Sequence, residues 1–211
     1  MSHGYNALLL STAAIAFLHA VMGPDHYVPF IALASTRRWS RKFLSFVTVV
    51  GALLHAGSSV VLGALGILGG IALTRLEVFE ALRGDAGRIL LVAFGLAYMA
   101  WGLMRRRHRH AHVKPETLVR RTTVFWSLYA VFVLGPCEPL VPLMFAASSW
   151  QWQGVAGVAL LFTAVTLATM LVMVHAGDSV ARRWSFMMSE RLAHVMAGGI
   201  IAATGVALWW I

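Results

Sequence analysis

The sequence predicts an all-α polytopic membrane protein, with six transmembrane helices as two inverted three-helix repeats broken at Gly-Pro. Three observations carry this expectation. Hydrophobic residues fill 59% of 211 positions and charged residues only 12%, about half the charge of a soluble domain. Mean hydropathy is +0.76, and several apolar runs reach the ~20 residues that cross a bilayer core. Two motifs of the first half also recur, in the same order, in the second.

The expected spans are 6–22, 44–72, 88–104, 123–147, 154–181 and 192–210. The first opens "MSHGYNALLLSTAAIAF", with no Lys or Arg before its apolar stretch. A secretory signal carries such charge, so this segment reads as a retained helix. The second and fifth spans exceed a simple crossing and must tilt, bend or protrude. Between them lie 35–42, 74–88, 105–121, the uncharged 148–153 and 182–191.

Loops one, three and five hold four, seven and three Lys and Arg, against three and none for loops two and four. Positive-inside bias places the odd loops in the cytoplasm and both termini outside, in the cytoplasmic (inner) membrane. The domain reading follows: 1–104 as the first repeat, 105–122 as a basic, histidine-containing cytoplasmic loop, and 123–211 as the second repeat. The formal charge of +9 does not point to nucleic acid, because the basic residues sit in short inter-span patches without stacking aromatics. Expected partners are the lipid bilayer and a divalent metal ion, with a homo-oligomer also compatible. One cysteine, Cys137, excludes a disulfide within the chain.

The repeats are read from "GPDHYVPFIALAS" (23–35) against "GPCEPLVPLMFAAS" (135–148), and "LLHAGSS" (53–59) against "MVHAGDS" (173–179). Three spans per half would invert the second copy, the arrangement of secondary transporters with sites near the midplane. Ionisable groups inside hydrocarbon cost several kcal/mol and are rare unless paired or functional. Here they are His19, Asp25, His26, His55, Cys137, Glu138, His175 and Asp178.

On a straight helix His19 and His26 share a face about 10 Å apart, too far to hold one ion. Pro24 lacks an N–H and biases Gly23 away from helical angles, so a break there would bring His19, Asp25 and His26 together. Gly135-Pro136 would break the second half likewise and deliver Cys137 and Glu138. Imidazole with carboxylate suits nickel, cobalt, zinc or iron, and thiolate shifts preference to softer ions.

Blander readings stand beside these. Asp25 can cap a helix, His55 and His175 can hydrogen-bond between helices, and Cys137 can simply pack. Asp178 has Arg182 and Arg183 for ion partners, and His194, outside any motif, reads as a core residue. Glu138, in an apolar run, has the fewest structural explanations. The "RRRHRHAHVK" tract is a secondary metal candidate whose arginines oppose cation binding.

"HAVMGPDH" resembles the histidine–aspartate–histidine signature of the nickel/cobalt transporter family and its urease-accessory-like relatives. In those proteins four residues separate His from Asp-His; here five do, with Gly23-Pro24 available to absorb the added one. "LGPCEPLVPL" resembles the Pro-Cys break of transmembrane thiol–disulfide carriers, grouped with lysine exporters in one superfamily of three-span halves. The resemblance implies a secondary transporter for a divalent transition metal, nickel or cobalt first. Its ligands would be His19, Asp25 and His26, with Glu138, His175 and Cys137 from the second half and His55 as ligand or orienting residue. No permanently bound cofactor and no enzymatic reaction are expected, and no phosphate-binding Gly-rich loop occurs. The alternatives are a thiol–disulfide electron carrier, which needs two cysteines, and a non-transporting subunit assembling a metalloenzyme.

Overall fold

The computed structural model describes residues 2–104, 129, 130, 132, 133, 135, 137–185 and 189–210; the basic loop 105–122 lies outside them. The described residues include the helices α1 (Ser2–Met22), α2 (Val28–Arg37), α3 (Arg41–Leu68), α4 (Leu73–Met104), α5 (Leu140–Ala147), α6 (Gln151–Ser185) and α7 (Glu190–Ala207). Four runs are long and apolar enough to cross a membrane: His3–Met22, Arg41–Leu68, Leu73–Met104 and Leu140–Arg183. Their outer faces are apolar, with Leu160 and Val172 about as exposed as surface residues of a soluble protein, at 71% and 67%. That distribution suits a hydrocarbon solvent, which puts no penalty on exposed Leu and Val.

Local chemistry explains the ends of these helices. α1 stops at Met22 because Gly23-Pro24 leads into a single 3₁₀ turn, Pro24–His26. The break lets the chain restart as α2, a helix the span pattern did not anticipate. Arg38, in the left-handed region at φ 52°, closes α2. Ser40 then caps α3, its Oγ accepting from the Phe43 N–H at 3.2 Å. Gly69 and Gly70, the latter at φ 62°, turn the chain into α4, and Ser189 caps α7 as Ser40 caps α3.

Residues 74–88, expected as a loop, are helical and form the first half of α4. The physical reason lies in the buried positions Leu76, Glu80, Gly84, Gly87, Leu91, Gly95, Tyr98 and Gly102. Their steps of three and four residues make one continuous helix face. The charges among them are paired along the helix, Arg83 with Glu80 and Arg88 with Asp85.

Helix order repeats on either side of residues 105–128. A chain break is followed by a short helix (α2, α5), a long one (α3, α6) and a last one (α4, α7). α3 packs on α6 and α4 on α7. The α4–α7 pair approaches closely through small residues, as helices in membranes do. A Cβ on Gly95 would stand 2.3 Å from the Ala202 nitrogen, and one on Gly198 would stand 2.4 Å from that of Met99. Two apolar clusters fill the interior. Phe30, Leu33, Val47, Phe132, Met170 and Ile201 anchor one; Ala16, Ala56, Leu140, Met144, Val158 and Phe162 anchor the other.

Gly95→Val should therefore separate α4 from α7 and cost about 3 kcal/mol, the upper end for overpacking. Gly57→Ala, whose Cβ meets nothing within 4 Å, should be neutral or stabilising by up to ~1 kcal/mol. Thermal unfolding in detergent micelles, followed by helical circular dichroism, measures both.

A candidate metal centre

The break after α1 folds Pro24–His26 back beneath the last turn of that helix. Gly23 makes this fold possible, since a Cβ there would lie 2.3 Å from His26 Nδ1. His26 then reaches His19 above it and His55 of α3 beside it. The three ligand nitrogens lie within 4.8 Å of one another. His26 and His55 are buried and His19 is partly so. The His26 ring meets both other rings edge-on, with centroids 4.7 Å away in each case.

Hydrogen bonds orient both buried rings. His26 Nδ1 faces only acceptors, the Gly23 carbonyl at 3.0 Å and Asp25 Oδ1 at 3.1 Å. His55 Nδ1 lies 3.3 Å from the Phe132 carbonyl. With each Nδ1 donating, Nε2 is the nitrogen each ring turns toward the other, at 3.1 Å. At that distance a shared proton bridges the two nitrogens, and a metal ion can take its place. Bonds of about 2.05 Å from imidazole to a divalent ion would set tetrahedral nitrogens ~3.3 Å apart. Asp25, orienting His26 through Nδ1, occupies the place of the carboxylate in a carboxylate–histidine–metal arrangement.

The second break borders the same site. Cys137 is fully buried, with Sγ 3.8 Å from His19 Nε2. A cavity of about 400 Å³ runs past His19, Asp25 and His26 to Gly84, Arg88 and Glu138. Glu138 stands at its mouth, half-exposed, 3.7 Å from Arg88 Nη2, and does not join the histidines. His175 also lies apart, on α6, its Nε2 2.8 Å from Ser45 Oγ of α3. Asp178 is buried and bonded to Arg182 Nε at 2.7 Å, while Arg182 Nη2 donates to the Trp39 carbonyl. His194 is buried with Nδ1 2.9 Å from the Tyr98 hydroxyl.

Glu80 and Arg83 were hidden from the sequence reading because 74–88 looked like a loop. On α4 they reach across to the second break. Arg83 Nη1 donates to Glu80 Oε1 at 2.8 Å, and Nη2 donates to Ser58 Oγ and the Val133 carbonyl, each at 2.8 Å. Ser59 Oγ donates to Glu80 Oε1 at 3.1 Å and accepts from the Cys137 N–H at 3.3 Å. The available signal was the run Leu76, Glu80, Gly84, Gly87, Leu91, which places Glu80 on the buried face of a helix.

No family model, curated protein or solved structure matches this chain. Its class rests on its own fold and site: an all-α chain with four helices long and apolar enough to cross a membrane, holding a three-histidine cluster beside a broken helix.

Removing Arg83 should leave Glu80 charged, buried and without a cation. Arg83→Met is expected to cost about 3–5 kcal/mol, and the double variant Arg83→Met/Glu80→Leu should recover most of that loss. Thermal unfolding in micelles distinguishes the two outcomes.

Proposed function

We propose that this protein is a secondary transporter of a divalent transition-metal ion, nickel or cobalt foremost, in the cytoplasmic membrane. One observation carries the reading: two buried imidazoles turn Nε2 toward each other at 3.1 Å, and His19 completes a cluster whose ligand atoms lie within 4.8 Å of one another. Imidazole nitrogens gathered in a buried cluster are donors suited to a divalent transition-metal ion. His19, His26 and His55 bind the ion, and Asp25 orients His26 and offsets part of the incoming charge.

The reading includes six crossings, with the second half inverted and both termini outside. The repeated order of break, short helix, long helix and last helix supports it, as does the pairing of α3 with α6 and α4 with α7. The three histidines belong to the first half and border the second through Cys137 and the Phe132 carbonyl, so one half moving against the other would alternate their exposure. A dithiol–disulfide carrier is disfavoured, because Cys137 has no second cysteine in the chain.

The test is uptake of radioactive nickel and cobalt by proteoliposomes. Wild-type vesicles should accumulate metal above empty ones. His26→Ala and His55→Ala should lower uptake by at least ~10-fold, as loss of metal-site partners does, while His175→Ala should keep most of it. Wild-type vesicles that take up no more than empty ones, under either gradient direction, would sink the transport reading.

A further inference from the structure

Three imidazoles leave a four-coordinate ion one donor short. The Cys137 sulfur, fully buried, lies just outside the three-histidine group, on the His19 side and 3.8 Å from His19 Nε2. In a tetrahedral site with bonds of about 2.05 Å to nitrogen and 2.3 Å to sulfur, that separation would be ~3.6 Å. His26 and His55 are buried, and their Nε2 atoms meet at 3.1 Å.

The surroundings of the sulfur argue against simple packing. A small apolar residue needs no polar scaffold, yet the segment carrying Cys137 is tied to the Glu80–Arg83 ion pair. Arg83 holds the Val133 carbonyl, and Ser59 joins the Cys137 N–H to Glu80. The Glu80 side chain is only 3% exposed, and burying an ion pair is costly unless geometry and hydrogen bonds are good. Here that pair fixes the backbone at the residue whose side chain faces the histidines.

We propose that Cys137 Sγ is the fourth donor of an N₃S site with His19, His26 and His55, and that Glu80, Arg83 and Ser59 are positioning residues for it. The inference rests on the metal reading above and narrows the substrate class. A four-coordinate N₃S set takes cobalt(II) or zinc(II) and rejects magnesium, calcium and manganese, which prefer oxygen donors. On binding, the S–H bond breaks, an S–metal bond forms and the proton leaves to water, so one positive charge departs as two arrive. Neither half alone supplies the donor set, so the bound ion cross-links the first break to the second.

The test is titration of the purified full chain in lipid nanodiscs with cobalt(II) chloride. Because Cys137 is the only cysteine, any thiolate-to-cobalt band belongs to it. At one cobalt per chain the wild type should show that near-ultraviolet band together with intense visible bands of four-coordinate cobalt. Zinc should abolish both, and magnesium should leave them unchanged. Cys137→Ser should still bind cobalt, ~10–100-fold more weakly, without the near-ultraviolet band. Arg83→Gln should weaken and shift the band, and Arg83→Lys should restore part of it. Cobalt bound at one per chain by the wild type without a thiolate band overturns the fourth-donor assignment and leaves the metal reading intact. Absence of cobalt and nickel binding alike overturns both. The wild-type spectrum alone decides the assignment should the cysteine variant fail to fold.

Discussion

The arrangement depends on one constraint: a buried polar group needs a partner, from the protein or from what it binds. His26 meets that constraint through Nδ1, which donates to the Gly23 carbonyl and to Asp25. Both acceptors come from the three residues just before it, in the turn that follows α1. The break therefore does two things at once. It places the Gly23 carbonyl where the imidazole can use it, and it turns Nε2 of that imidazole toward His55. His55 reaches the same state by a longer route, through the Phe132 carbonyl next to the second break.

The second break is handled differently. Its released carbonyl at Val133 goes to Arg83 and its N–H at Cys137 goes to Ser59, so α3 and α4 supply what the segment itself lacks. Arg83 is held by Glu80, and α4 is held in turn against α7 through glycines whose backbones nearly touch. Packing of small residues thus supports an ion pair, which supports a chain break, which sets a sulfur beside His19. Each step is local, and together they join the two halves around one point.

Much of this was legible in the residues. Gly23-Pro24 announced a break, and His19, Asp25 and His26 around it announced a polar cluster. His55 drew notice because "HAG" recurs. His175 shares that motif yet sits against Ser45, because motif identity does not determine where along a longer helix a residue meets its neighbours. Glu138 lies next to Cys137 in the chain, but one points outward to Arg88 and the other inward. Adjacent residues in a turn face different surroundings, and no spacing rule tells which. Glu80 and Arg83 escaped notice because a charged stretch resembles a loop until its partners on other helices are known.

What the sequence by itself determined is the class of fold and the places where the helices fail. Apolar length requires helices long enough for a membrane, and proline removes a donor wherever it stands. Only the tertiary structure decided which polar residues meet. Helical periodicity sets the face a side chain occupies but not the rotation, height and neighbour of that face. The convergence of His19, His26 and His55 depends on α3 lying alongside the first break, and the approach of Cys137 depends on α4 clamping the second. Those placements come from side-chain packing between segments far apart in the chain, which no local pattern encodes.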